Sequence, residues 1–187
     1  MPSRQERLLD AAIGILGSQG VRALTHRAVD AAAAVPTGST ANYFKTRDAL
    51  IGAVVDRFAE RDRATWQAIA GFVRPTTKAE LAAALIAYVH RALDHERATT
   101  VARYGLFVEA ALRPELQERL AEAAGAIRTW GMGWLRAIGS TDPEGECTAI
   151  LDYLDGVIFH QLAFPGPVEQ LEVAVMRAVC KLCTSAA

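Results

Sequence analysis

Much of what marks an enzyme, a secreted domain or a membrane protein is missing from this chain of 187 residues. It has three cysteines, a number that fits a reducing compartment. Cys180 and Cys183 have the two-residue gap of a zinc knuckle. They lie within a helical pattern with no second pair, however, and Cys147 is distant. The four histidines, His26, His90, His95 and His160, show no metal-ligand spacing on a common helix turn. Asp152 and Asp155 stand three apart without a second acidic pair to complete a cation site. No phosphate-cradling glycine loop, dinucleotide fingerprint or Ser-His-Asp order occurs. The expectation is therefore a protein without catalytic residues, metal or cofactor. No apolar run is long enough to span a bilayer. The opening Met1-Pro2-Ser3-Arg4-Gln5-Glu6-Arg7 has no apolar segment behind it of the kind a secretion signal needs, which makes a cytoplasmic location the expectation.

Net charge is also small, −1 overall, but it is unevenly divided. Residues 1–50 carry six Lys and Arg (Arg4, Arg7, Arg22, Arg27, Lys45, Arg47) against four acids, while the remainder carries fourteen against seventeen. The basic excess sits at one end, and its modest size predicts real but moderate salt dependence for any polyanion bound there.

What the chain does have is apolar content, 51% against 22% charged residues, which is globular composition. Pro75, Pro114, Pro143, Pro165 and Pro167 cut residues 45–187 into segments whose apolar positions recur every three or four residues, with no two-residue alternation. The fold class is all-α, with about nine helices. A first helix stops at Gly20. A fourth runs from about Thr46 to Phe72, and a fifth from the capping box Thr77-Lys78-Ala79-Glu80 to about His95. A sixth spans about Thr99 to Leu112, and Pro114 opens a seventh that ends near Ile138. Asp142-Pro143 caps an eighth to about Phe164, and Pro167 opens a ninth to about Thr184.

Residues 24–44 hold two short helices spaced as a helix-turn-helix. Thr25 supplies an N-cap for the first, an alanine run closes it before Pro36, and the second starts near Pro36 or Thr37. Such a crossed pair lays the start of its second helix in a DNA major groove while flanking residues hold phosphates. The expectation from these residues is a double-stranded DNA-binding regulator.

This end of the chain resembles the tetracycline-repressor (TetR) family. Leu8, Leu9, Ala12, Ile13 and Leu16 line one face of the first helix, and Leu24 and Thr25 begin the second. Val35, Gly38, Ser39, Tyr43 and Phe44 match the turn and recognition helix, and Arg47, Asp48, Ala49 and Leu50 match the entry to the fourth. The match covers about a quarter of the chain and is an ordered series of caps, breakers and apolar positions. Three positions depart from the family pattern. Ala33-Ala34 replaces Ala-Gly, so the left-handed residue of the turn must be made by alanine or avoided. Pro36 replaces the usual Ser or Thr cap, leaving Thr37 as cap or Pro36 in the first helical turn. Thr40-Ala41-Asn42 replaces an apolar-aromatic pair, which moves that phosphate contact to Asn42 and Tyr43.

The resemblance implies a division into a helix-turn-helix domain, residues 1–47, and an effector-binding and dimerisation domain, residues 48–187. Thr37, Ser39, Thr40 and Asn42 are expected to read bases. Thr25, Arg27, Tyr43, Lys45 and Arg47 are expected to hold phosphates, with His26 contacting phosphate or base. The family's final two helices pair with their symmetry mates, and a two-fold operator requires an isologous dimer. The apolar stripes of the last two helices place Leu154, Val157, Ile158, Gln161, Val175, Val179 and Leu182 at that interface, although each helix must also turn one face inward. The effector cavity is expected among Trp66, Tyr88, Arg103, Tyr104, Phe107, Trp130, Met132 and Trp134, for which core packing is the alternative. Arg103 facing the cavity favours an anionic or carbonyl-bearing ligand; pairing with Glu109 or another acid is the alternative. The family's usual outcome is repression, relieved by a small hydrophobic or anionic effector. Two other readings remain at this stage: an all-α ligand-binding or hydrolytic domain without DNA, and a helical adaptor with a filled interior.

Overall fold

The computed structural model describes residues 2–184. Nine α-helices occur among them: α1 Arg4–Gln19, α2 His26–Ala32, α3 Ser39–Tyr43, α4 Arg47–Phe72, α5 Lys78–Leu93, α6 Arg97–Ala111, α7 Pro114–Ala137, α8 Pro143–Ala163 and α9 Val168–Leu182. Local chemistry explains most of the boundaries. Ser3 caps α1 in a reciprocal box with Glu6, and Gly20 ends it at φ +78°. Thr25 accepts the Ala28 N–H at the start of α2, as expected, and Asp142 accepts the Gly145 N–H at the start of α8 with Pro143 in the first turn. Thr77 caps α5, but the Glu80 carboxylate reaches Thr76 instead of closing the box on Thr77.

The chain forms two compact units. The first comprises residues up to 64 together with 96–123, and the second comprises 65–95 together with 124 onward. Each is therefore built from two stretches of sequence, and α4 and α7 each contribute residues to both.

In the first unit α1, α2, α3, the start of α4 and α6 close over one apolar core that includes Leu8, Leu16, Leu24, Phe44, Val54 and Leu106. α1 and α6 meet backbone to backbone, because a Cβ on Gly17 would overlap the Ala98 carbonyl oxygen. Arg57 of α4 fastens to α1 through Asp10 at 2.9 Å and Glu6 at 3.3 Å. Arg113 pairs with Asp48, and Arg119 with Asp56.

In the second unit α5 packs against α8 and α9. Leu85, Val89, Leu154, Ile158, Val175 and Val179 are buried there within the single chain. This corrects four of the interface assignments: Leu154, Ile158, Val175 and Val179 are core, and Val157, Gln161 and Leu182 are the partly exposed members of that set. The stripes are real, but α5 covers their innermost positions. The end of α9 is tied back to its neighbours: Thr184 donates to Glu146 of α8 and Lys78 to the Cys183 carbonyl at 2.7 Å.

Candidate nucleic-acid interface and ligand cavity

The turn between α2 and α3 is organised by one buried carboxylate. Asp30, 2% exposed, accepts the Gly38 N–H and the Thr40 N–H at 2.7 Å each and the Thr40 hydroxyl at 2.5 Å. Burial alone would push this acid up, but the Thr40 and Gly38 hydrogen bonds outweigh it and hold the carboxyl below the ordinary aspartate value. Asp30 thus serves as the N-terminal cap of α3 from eight to ten residues upstream. The chain reaches that position through two left-handed residues, Ala34 at φ 53° and Gly38 at φ 92°. Alanine does adopt the strained conformation that glycine takes freely.

The second helix consequently begins at Ser39, later than Pro36 or Thr37. Neither proposed start device operates: Gly38 is the N-cap residue and provides no side chain, while Pro36 and Thr37 form the preceding turn. Three of the expected DNA contacts are engaged inside the protein. Thr40 is fully buried against Asp30. Ser39 is buried, donates to the Pro36 carbonyl at 2.6 Å and accepts from Arg4 at 3.3 Å. His26 is half-buried and bonds the Phe44 carbonyl through Nε2 at 2.7 Å, which requires the proton on that nitrogen. Those side chains set the angle of α3. Exposed around it remain Thr25, Arg27, Thr37, Asn42, Tyr43, Lys45 and Arg47, the last donating to the Val21 carbonyl at 3.0 Å. An exposed amide on α3 flanked by cations and hydroxyls can meet a base edge and the phosphates beside it. Asp30 and Arg4 were not foreseen. The only sequence signal for Asp30 was an acid in the most basic segment of the chain.

The expected ligand residues separate into two groups. Arg103, Tyr104 and Phe107 belong to the first unit, where Arg103 pairs with Asp62 at 2.5 Å and lies over the Phe58 ring at 5.4 Å. Pairing with an acid is thus the outcome for Arg103, and the acid is not Glu109, which pairs with Arg113. Tyr104 and Phe107 pack edge to face. Trp66, Tyr88, Trp130 and Trp134 belong to the second unit. Trp66 has the Tyr88 ring at 4.9 Å and the Trp134 ring at 6.2 Å between centroids, while Trp130 is partly exposed.

Trp66 and Trp134 border a narrow cavity of about 30 Å³, whose other walls include Leu81, Leu85, Gly131 and Cys147. The Trp66 indole N–H is buried and has no hydrogen-bond partner among the described residues. A second cavity of about 230 Å³ is bordered by Arg128, Met132, Glu144, Cys147 and Thr148. Cys147 lines both. Its thiol is pushed up by burial, partly offset by Arg128, and is neutral at physiological pH. The aliphatic members of the first cavity read as ordinary core in the sequence, and nothing in their spacing separates the two roles. No cluster of three metal-ligating side chains occurs among the described residues, and no helix among them is long and apolar enough to cross a membrane.

A short helix held by the helix before it through the turn between them is a helix-turn-helix arrangement. The family model described as the tetracyclin repressor-like C-terminal domain matches residues 76–181. The chain belongs to the TetR family of transcriptional regulators. It is similar to the HTH-type transcriptional regulator BetI of Rhizobium meliloti (strain 1021), 26% identical over 168 residues that cover 89% of this chain and 82% of the relative. Among solved structures it resembles the multidrug binding protein EbrR complexed with ethidium, with TM-score 0.74, 27% identity, and coverage of 97% and 99% of the two chains. It shares its fold with a transcriptional regulator from Rhodococcus sp. Rha1, with TM-score 0.80, 24% identity, and coverage of 96% of each chain.

Proposed function

We propose that the protein is a dimeric, cytoplasmic repressor that binds a palindromic operator through residues 1–47 and is released by a small effector bound within residues 48–187. The observation that carries the DNA reading is the Asp30-locked turn, which holds α3 rigidly while Asn42 and the flanking Lys45, Arg47 and Arg27 stay exposed. Asn42 suits a bidentate contact to adenine, and Lys45 a phosphate. A gel-shift titration with the DNA upstream of the protein's own gene tests this. Asn42→Ala is expected to weaken specific binding by about 1–3 kcal/mol and to relax one operator position. Lys45→Ala is expected to weaken all sequences alike and to reduce the salt slope by about one unit. An Asn42→Ala protein with undiminished sequence preference would remove α3 from the groove.

For the dimer, the support is apolar surface left on α8, α9 and the link between them. Phe159 and Phe164 are 54% and 68% exposed, and Val168 and Val173 are also exposed. Covering that surface with its symmetry copy is how two recognition helices come to be presented together. Phe159→Glu should convert the dimer to folded monomers in sedimentation and lower operator affinity with it. A dimer that persists at the same concentrations would place the interface elsewhere.

Release follows from α4 being one 26-residue helix that carries both Leu50, in the core of the first unit, and Trp66, on the cavity wall. A ligand that prefers one setting of α4 shifts the population of DNA-competent dimers by its differential affinity alone. A hydrophobic effector is favoured over an anionic one because the Arg103 guanidinium already has the Asp62 carboxylate.

A further inference from the structure

The cavity beside Trp66 is walled by hydrocarbon, aromatic rings and a neutral thiol, without a carboxylate or a cation among its lining residues. Among the described residues its one unsatisfied polar group is the Trp66 indole N–H, on a side chain only 5% exposed. A buried donor without an acceptor is costly, and such groups in folded proteins are rare enough that each calls for a partner. A charged molecule would meet no counter-charge on these walls and would lose its hydration on entering. We propose that the effector is neutral and largely apolar, with a flat aromatic part and one carbonyl-type acceptor that takes the Trp66 N–H. This rests on the reading of residues 48–187 as the effector-binding part and names the chemistry of that site.

The geometry also sets the route in. At about 30 Å³ the cavity has room for only about one or two waters. The larger cavity adjoins it at Cys147 and carries the charges, Arg128 and Glu144. α7 and α8 approach so closely at this point that a Cβ on Gly131 would lie 2.7 Å from the Cys147 sulfur. Displacement of the Cys147 side chain joins the two spaces, so the neutral ligand passes the thiol while the Arg128 and Glu144 side chains border the outer space. The Tyr88 and Trp134 rings beside Trp66 favour an aromatic ligand, which gains from offset or edge contacts.

A matched pair of probes tests the bond. Acetophenone and α-methylstyrene have the same shape, with a carbonyl oxygen in one replaced by a methylene in the other, and ethidium serves as the cation. Affinities for the full chain are measured by calorimetric titration. Because the ketone is the better hydrated of the two, the ratio of the affinities is read and not either alone. The acetophenone to α-methylstyrene ratio is expected to fall about tenfold from the natural protein to Trp66→Phe, which keeps an aromatic ring and removes the donor. If Trp66→Phe fails to fold by circular dichroism, replacement of Trp66 with benzothienylalanine, which exchanges N–H for sulfur in the same shape, gives the same comparison. An unchanged ratio overturns the proposal, and so does binding of ethidium in preference to both neutral probes, which leaves the effector reading intact. If none of the three binds, both the proposal and the effector reading of this cavity fall.

Discussion

Asp30→Ala is expected to abolish specific DNA binding and to destabilise the protein by about 3 kcal/mol, through three donors losing one acceptor. The Thr40 hydroxyl, the Thr40 N–H and the Gly38 N–H all point at this carboxylate. With it gone, the buried Thr40 N–H and the part-buried Gly38 N–H lose their acceptor. α3 has five residues and cannot hold a helical conformation without help, since the first turn of a helix orders several residues for a single bond. The same carboxylate makes the effect pH-dependent. Its folded value lies below the ordinary 3.8, so its stabilisation is fully present above that value and is lost as pH falls through it toward the folded value. Chemical denaturation between pH 6 and pH 3, followed by tryptophan fluorescence and circular dichroism, should show stability of the natural protein falling more steeply below about pH 4 than that of Asp30→Asn. Parallel acid limbs would mean that the carboxylate does not carry the turn.

The second large effect is expected in the other unit. Val175 is 1% exposed within a single chain, so Val175→Asp places a carboxylate among the buried apolar side chains of the second unit. The cost is several kcal/mol, a large part of the roughly 5–15 kcal/mol that holds a domain together. The second unit should lose its cooperative thermal transition at every protein concentration. Sedimentation with circular dichroism distinguishes this from simple dissociation: a helical, well-folded Val175→Asp monomer would return Val175 to the interface between copies. Phe159→Glu is the contrasting case, in which the charge enters at the surface and folding is retained.

These two residues also mark where the sequence was legible. Caps and breakers act over three or four residues, so Thr25, Gly20 and Asp142-Pro143 announce their helix ends directly. Hydrophobic spacing likewise shows that α8 and α9 each have an apolar stripe. It does not show what covers the stripe, and Leu154, Ile158, Val175 and Val179 turned out to face neighbouring helices of the same chain. Asp30 lay beyond local reach for a related reason. Its partners are eight and ten residues away across two left-handed residues, one of them an alanine whose conformation no propensity would favour. The start of α3 was misplaced because Pro36 and Thr37 carry ordinary start signals, while the cap that operates comes from another helix. Among the aromatics, Trp66, Tyr88 and Trp134 gather in one place because α4, α5 and α7 bring them there, a tertiary fact absent from any one helix's pattern.

The close seating of α6 on α1 sets a limit on modular re-use of this regulator. Gly17 and Ala98 touch through their backbones, and Ala102 and Leu106 fill the same core as Leu8 and Leu16. A biosensor made by grafting residues 1–47 onto a foreign sensor domain would leave this face of α1 against a helix that was never shaped to it. The transplantable cassette is discontinuous: it takes residues up to 64 and carries 96–123 with them, so a sensor swap in this protein exchanges one internal insert, 65–95, together with the tail from 124 onward.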